Sequence, residues 1–595
     1  MTLSMSQTVI DVLAATAGAH GEQPALRSKA AGEWQTLTWS EYRDHVMRAA
    51  KGFLALGAAA GKGITILGNN RPEWFLSHFA GIAAGAVPTG IYTNSTADQC
   101  QYIIEHCSAA VAVVENTEYL QKLLSVRSQL PQLRAIVLMQ GEHEDPGVHS
   151  WEQLIDHGSG VPDSDLQQRI ANLRPQDVCQ LIYTSGTTGP PKGVMLTHQN
   201  VIWVAQELVA TYEIKPGESI ISYLPLSHIA EQVISIYSPL YAGACTWFAE
   251  SLDRLAENLR EVRPHIFFGV PRVWEKIQAA MEVAGAQNSW IKKRIARWAR
   301  GQGLAGGYAE QQGHPVPPLY GLAEKLVFSK VRQRLGFDRS RGCFTSAAPI
   351  SPHTLEFFLS LGIPILEVYG MSECTGPTTL STRDRYRTGK AGWAMDETDL
   401  KIAEDGEICM RGPHVFRGYF KNPEATAETL DTQGWLHSGD IGEIDDEGFL
   451  AITDRKKELI ITSGGKNVGP QAIEGELRAI PAVAQAVVVG DRRNYLSALL
   501  TLDPERLLQE AERIGSPARD LATAATCPRF RQHLEDEVER VNRSLARFET
   551  IKRFAILPAE FGVDGGELTP TMKLKRRVIN EKYATQIEEL YPSSS

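Results

Sequence analysis

An apolar run over residues 178–183 opens into Thr184, Ser185, Gly186, Thr187, Thr188, Gly189, Pro190, Pro191, Lys192 and Gly193. Glycine lets backbone N–H groups approach phosphate oxygens, hydroxyls add donors, and Lys192 adds a point charge. The chemistry of such a loop is phosphate binding. A Walker loop needs Gly directly before its Lys and Ser or Thr directly after it. Here Pro191 precedes Lys192 and Gly193 follows, so an ordinary phosphate-loop ATPase is disfavoured. A plain turn is the other reading, and the density of hydroxyls around two glycines argues against it.

The loop resembles the phosphate-binding loop of adenylate-forming enzymes: acyl-CoA synthetases, adenylation domains of peptide synthetases, and luciferases. The resemblance extends from about residue 37 to residue 577 as motifs in the expected order. It implies ATP and Mg²⁺, a hard ion that prefers oxygen ligands, with Thr184 and Glu373 as the metal ligands. His228, in Ser227-His228-Ile229, matches the family's His near the substrate carboxylate. A Trp gate of one bacterial branch is not carried over, because Gln232 stands there. Ser346, Ala347 and Ala348, before Pro349, resemble a small-residue loop beside adenine that usually reads Gly-Gly-Ala-Pro. Tyr369, Gly370, Met371, Ser372 and Glu373 then imply a ring against adenine, a hydroxyl near the α-phosphate and the Mg²⁺ carboxylate. Tyr369 could equally end a core strand; the polar pair beside it favours the site.

Asp440, in Ser438-Gly439-Asp440-Ile441, resembles the carboxylate that takes both ribose hydroxyls; a two-oxygen acceptor suits that task. Arg455 would add a ribose or phosphate contact. A turn in β structure and an exposed charge cluster are the respective alternatives. Lys457 matches the family's hinge. Gly464, Gly465 and Lys466 match the side that meets the pantetheine arm of coenzyme A. The stretch from Thr569 to Arg577 resembles the terminal motif with the catalytic Lys, here Lys573 by its spacing to the Thr and Arg, although Met572 stands where the family usually has Gly. The implied catalytic set is Lys573, His228, Glu373 and Thr184.

The resemblance implies two half-reactions. A carboxylate attacks the α-phosphate of ATP to give acyl-AMP and pyrophosphate, and coenzyme A then displaces AMP. The segments 265–276, 326–330 and 434–457 resemble the long-chain fatty acyl-CoA synthetase branch, so the expected acid is a medium- or long-chain fatty acid. A separate acyl carrier protein as acceptor, another carboxylic acid, and a nucleotide-binding scaffold without turnover stay open.

These residues need a scaffold. Helix-like and apolar strand-like segments alternate: helices over 42–56, 72–84 and 200–212, strands over 63–67, 109–114, 178–183, 219–224, 265–270 and 363–369. Such alternation predicts an α/β fold with doubly wound parallel layers. Over 400–461 short strands are separated by Asp/Gly turns, which predicts a β-rich part. The expected organisation is a large domain over 1–456, β-rich over about 400–456, and a small mobile α+β lid domain over 457–595. Between residues 285 and 318 lies a Gly-rich basic insertion. Ile291, Ile295 and Trp298 share one helical face there, and Lys292, Lys293, Arg294, Arg297 and Arg300 occupy the rest. A helix capping the large domain is favoured over one lying on an anionic membrane.

Composition sets the outer bounds. The 595 residues carry 60 Lys and Arg against 70 Asp and Glu, a formal charge of −10, which argues against a nucleic-acid binder. Residues 1–6 lack a signal-peptide pattern, and the apolar stretch 75–92 is broken by Ser77, His78 and Pro88. Eight cysteines without a CxxC pair read as reduced thiols. The expectation is a cytoplasmic enzyme, monomer or homodimer, with fatty acid, ATP and coenzyme A as partners. Peripheral contact with the inner membrane face stays open.

Overall fold

The structure is a computed structural model that describes residues 7–184, 190–464, 466–563, 565–569 and 573–592. Contacts divide the chain into two units. The first comprises 1–347, 357–400 and 410–437; the second comprises 348–356, 401–409 and 438–595.

The first unit is α/β, with two large sheets. One has eight strands in the order Gly418–Tyr419, Lys192–Thr197, Val178–Thr184, Val87–Ile91, Gly63–Leu67, Val111–Val114, Ala135–Leu138, Val148–Ser150. From Val178–Thr184 onward its neighbours are parallel, while Lys192–Thr197 and Gly418–Tyr419 join antiparallel. The other has seven, in the order Ile365–Glu367, Gly342–Thr345, Ile266–Phe268, Ser219–Ser222, Cys245–Phe248, Pro24–Ala30, Glu33–Thr38. All but the last pair are parallel. Strands such as Val111–Val114 are apolar throughout and buried throughout, as sheets covered on both faces require.

The helices between them begin on local signals. Thr38 and Glu41 form a capping box at Trp39–Ala55, and Thr197 with Asn200 starts His198–Thr211 the same way. Residues 75–92 divide into the helix Pro72–Ala83 and the strand Val87–Ile91. Among the described residues no helix is long and apolar enough to cross a membrane.

The basic insertion forms the helix Trp290–Gln311. Only part of it caps the unit: Trp298 packs with Ala299, Ala323 and Phe328, whereas Ile291 and Ile295 stay exposed. The apolar spacing is too short to bury the first two turns.

The second unit is α+β. Its three-stranded sheet runs Val483–Val489, Leu496–Leu502, Ile551–Ile556, packed by the helices Pro470–Arg478 and Pro528–Asn542 around Leu477, Val488, Leu500, Leu534 and Phe554. The hairpin Leu436–Ile444 with Leu450–Arg455 is antiparallel, and the strands Asp399–Ile402 and Glu407–Arg411 belong to the same sheet. The Asp/Gly turns use one device: Asp445 Oδ1 accepts from the Glu447 and Phe449 N–H groups, and Gly448 takes φ +84°. All eight cysteines are unpaired and buried. Burial pushes the thiols of Cys107, Cys245 and Cys343 up to about 12.

Candidate active site

Carboxyl ends of parallel strands are where α/β sheets present ligand sites, because the loops there diverge. In the first unit the carboxyl ends of the two sheets meet. Asn70, just past Gly63–Leu67, donates from Nδ2 to Ser222 Oγ and to the Leu224 carbonyl, both at 2.8 Å, beyond Ser219–Ser222.

Thr184 ends its strand and pairs in register with Lys192 across the turn. Ser185, Gly186, Thr187, Thr188 and Gly189 lie outside the described residues. The Lys192 ammonium sits 4.8 Å from the centre of the Tyr419 ring. The Tyr419 hydroxyl donates to Glu373 Oε1 at 2.7 Å. Three sequence-distant groups are thereby linked, a cation, a phenol and a carboxylate, beside the strand end at Thr184. Glu373 is only 6% exposed, so its charge is held away from bulk water.

Tyr419 carried no role in the sequence reading. Its position comes from a laced segment. Asn200 Nδ2 donates to the Pro413 and Val415 carbonyls at 2.7 and 3.0 Å. The Phe416 N–H donates to the Glu373 carbonyl, and the Phe420 N–H to Gly193, both at 2.8 Å. No local pattern announces this; only the pairing of Gly418–Tyr419 with Lys192–Thr197 brings the ring to the cation.

The segment from Tyr369 to Glu373 is a short strand, Tyr369–Met371, and one turn, Ser372–Cys374. Tyr369 is buried and pairs with Thr379. A side chain at Gly370 would collide with the Gly376 carbonyl, so the close strand crossing demands glycine. The Cys374 thiol accepts from the Met371 N–H at 3.1 Å and donates to the Gly376 carbonyl at 3.1 Å, fixing the turn that presents Ser372 and Glu373. Ser346 and Ala347 follow Gly342–Thr345, beside Ile365–Glu367. Ala347 takes φ +73°, the left-handed region where Cβ crowds the next carbonyl. Ala348 is exposed and begins the next stretch of the second unit.

His228 caps the short helix Ile229–Gln232, its Nδ1 accepting from the Ala230 N–H at 3.2 Å. Three residues on, Glu231 is 2% exposed. Its Oε1 accepts from the Ser222 and Ser235 hydroxyls at 2.7 Å and from the Tyr223 N–H at 3.1 Å. Burial raises its pKa to about 7, against the pull of those donors. No local pattern marks Glu231; a carboxyl among serines on a buried turn is legible only once the strand end and helix are seen together.

In the second unit Asp440 and Arg455 face each other across the hairpin, with Arg455 Nε 3.1 Å from Asp440 Oδ1. Glu407 supports the turn, accepting from the Gly439 N–H at 2.8 Å and from Lys456 Nζ at 3.0 Å. Lys457 is exposed in the turn after Leu450–Arg455. Beside it, burial raises the Asp454 carboxyl to about 6, although the Gln471 and Arg455 N–H groups donate to it. Gly464 and Lys466 lie in the turn between Ile460–Ile461 and Asn467–Val468, both exposed; Gly465 lies outside the described residues.

Lys573 is exposed in a small loop, whose residues 570–572, including Met572, lie outside the described residues. The Thr569 N–H donates to the Lys573 carbonyl at 2.8 Å, and the Lys573 N–H to Thr569 Oγ1 at 3.0 Å. Arg576, another residue the sequence reading gave no role, anchors the loop. Its guanidinium donates to both Glu474 oxygens at 2.7 and 2.5 Å and to Glu458 Oε2 at 3.1 Å.

Residues 13–420 match the family model described as AMP-binding enzyme, and residues 457–595 match the AMP-binding enzyme C-terminal domain. The chain is 42% identical over 624 residues to the long-chain-fatty-acid–CoA ligase ACSBG2 of Xenopus laevis, covering 98% of this chain and 84% of that one. The Homo sapiens ACSBG2 is 37% identical over 601 residues, covering 96% and 90%. The crystal structure of the anthranilate CoA ligase AuaEII in complex with anthranoyl-AMP superposes with a TM-score of 0.74 at 20% identity, covering 98% of this chain and 99% of that one. The O-succinylbenzoate coenzyme A synthetase MenE of Bacillus subtilis, in complex with AMP, gives 0.69 at 20%, covering 96% and 98%. These two likenesses are of fold. With most of its length matched by the two family models and a 42%-identical relative aligned over nearly all of it, the chain belongs to the AMP-binding, adenylate-forming enzyme family, among the long-chain-fatty-acid–CoA ligases.

Proposed function

We propose that this chain joins a medium- or long-chain fatty acid to coenzyme A through an acyl-AMP intermediate, with ATP as the activating substrate. The observation that carries the chemistry is the linked set Lys192, Tyr419 and Glu373 beside the strand end at Thr184, with Tyr419 and Glu373 buried.

A carboxylate resists nucleophiles because it is already negative. Attack by its oxygen on the α-phosphate of ATP forms a P–O bond and breaks the bond to pyrophosphate, giving a mixed anhydride. Negative charge gathers on the phosphate oxygens in that step, so fixed donors and cations there lower the barrier. In this reading the 184–189 loop and Lys192 hold the phosphates, Ser372 bonds the α-phosphate, and Tyr369 and the Ser346–Ala348 loop flank adenine. Asp440 and Arg455 hold the ribose. His228 orients the substrate carboxylate.

The oxygen donors of Glu373 and Thr184 suit Mg²⁺, which when bound would neutralise phosphate charge. The Tyr419 hydroxyl keeps Glu373 oriented by donating to it. Lys573 supplies positive charge to the adenylation step. The domain boundary is proposed at Lys457, about which the lid of residues 457–595 exchanges Lys573 for Gly464, Gly465 and Lys466 in the thioester step. The thiol of coenzyme A then attacks the acyl carbon and AMP leaves. Cytoplasmic placement, with peripheral contact at a membrane where such acids dissolve, and a monomer or homodimer complete the proposal.

The test is AMP formation with ATP, Mg²⁺ and coenzyme A across straight-chain acids of graded length, with aromatic acids as controls. AMP and acyl-CoA rising together and peaking at one chain length support the reading. AMP that appears only with an added carrier protein moves the acceptor to that carrier. ADP as product overturns the reading.

A further inference from the structure

Nine of the fourteen large apolar side chains that are exposed among the described residues fall between Val283 and Leu326. That stretch is less than a tenth of the chain. Scattered single apolar residues on a surface are ordinary, but a concentration is not.

The helix Trp290–Gln311 is built in two halves. Its second half is clamped. Side chains at Gly303, Gly306 and Gly307 would collide with the Ser360 carbonyl, the Tyr320 ring and Leu359, so the helix lies tight against the body there. Arg300 closes the clamp, donating to Ser360 Oγ at 3.0 Å and lying 4.7 Å over the Phe357 ring. Its first half projects: every residue from Trp290 to Ile295 is exposed. Trp290 is 71% exposed, Ile291 53% and Ile295 43%.

Cations interleave these apolar side chains: Lys292, Lys293, Arg294 and Arg297. Among the described residues none of the four forms an ion pair, although the chain as a whole is acidic at −10. A projecting basic and apolar helix offers an anionic interface attraction that the net charge of −10 does not. Trp and Ile bodies enter the boundary between headgroups and acyl chains, while the Lys and Arg heads stay at the phosphates.

We infer that the first two turns of Trp290–Gln311 dock the enzyme onto an anionic phospholipid bilayer, lying in the interface rather than crossing it. The inference gives a surface to the membrane contact included in the proposed function. It rests on that reading only in that the acid would be drawn from the bilayer.

Flotation of the full-length protein with phosphatidylcholine vesicles, with and without phosphatidylglycerol, tests it. Binding is expected to need phosphatidylglycerol and to weaken as salt rises. Each cation contributes about fivefold to partitioning, so Lys292→Gln, Lys293→Gln, Arg294→Gln and Arg297→Gln together lower it on the order of 10²-fold or more. Trp290→Ser with Ile291→Ser and Ile295→Ser lowers it by about tenfold or more. AMP formation on a short, water-soluble acid stays unchanged in both variants, which reports that they fold.

Binding equal on neutral and anionic vesicles, equal binding by the Gln variant, or no binding by the unaltered protein overturns the inference. So does a mass measurement in which the unaltered protein self-associates and the Ser variant does not, which assigns the face to a second copy. Absence of AMP with every acid would count against the ligase reading alone and leave the vesicle result standing.

Discussion

Glu373 and Lys573 are both proposed to act on the same phosphates, yet their surroundings differ in kind. Glu373 is buried at a strand end, gripped by Tyr419 and by a turn tied through Cys374. Lys573 is exposed, on a loop whose backbone is closed by Thr569 and whose root is pinned by Arg576. The first arrangement is preorganised: its charge is oriented before any ligand comes. In the second, the loop backbone is closed and the side chain is exposed. A group proposed to serve one half-reaction and leave for the next is better kept exposed than buried, because burial would have to be undone in each turnover.

The sharpest test of this contrast is Lys573→Ala. Acyl-AMP formation should fall by about 10³-fold, the scale of losing a strong transition-state donor, while the melting temperature stays put. Conversion of supplied acyl-AMP to acyl-CoA should change by about tenfold or less. Equal loss in both steps would mean that the lysine serves both.

Arg576→Ala should do the reverse. It strips Glu474 and Glu458 of their cation in a largely buried setting, at a cost of about 4 kcal/mol. Amide exchange in Pro470–Arg478 should accelerate, and unchanged exchange would show the anchor to be dispensable.

Glu231 carries the next effect. Its buried carboxyl holds the proton more tightly in the folded chain, at about 7, well above the ordinary carboxylate range. The associated stability is full below the unfolded value and lost as pH rises through about 7, a swing on the order of 3 kcal/mol. Glu231→Gln keeps an acceptor for Ser222, Ser235 and Tyr223 and should flatten that dependence. Urea midpoints measured at mildly acidic and mildly basic pH would decide it, and an unchanged slope in the variant would assign the pH dependence elsewhere.

Tyr419→Phe removes one donor from a buried carboxylate and should lower AMP formation about tenfold without unfolding the chain. Ala347→Gly should have the smallest effect. Relieving a left-handed alanine at φ +73° gains about 1 kcal/mol, seen as a small rise in thermal midpoint. No rise would mean that the loop's packing already compensates the strain.

What was legible in the sequence follows from range. Strands such as Gly63–Leu67 and the start of Pro72–Ala83 appear where expected, because unbroken apolar runs and a proline at a helix start are local signals. The hydroxyl loop, the Tyr369–Glu373 segment and the Asp440 turn were legible as motifs, since the residues that mark each are near neighbours in sequence. Tyr419 and Arg576 were missed because their partners stand 46 and 102 residues away, and a phenol or guanidinium has no periodicity that points to a distant carboxylate. The basic helix was half read. Its apolar spacing was visible, but that only its second half is buried depends on Ser360, Tyr320 and Leu359 receiving the glycines.

The eight interior thiols lend the molecule a built-in clock. Alkylating reagents need a thiolate in contact with solvent, and burial denies both. Labelling of the folded chain should therefore track opening events rather than surface chemistry. Six of the sulfurs, Cys100, Cys107, Cys179, Cys245, Cys343 and Cys374, belong to the first unit, and Cys409 and Cys527 to the second. Cys527 differs in that the Ser516 hydroxyl lowers its thiol from the ordinary value in the folded chain. The order in which these peptides acquire label then becomes a chronology of which unit lets go first, written by the chain without any engineered probe.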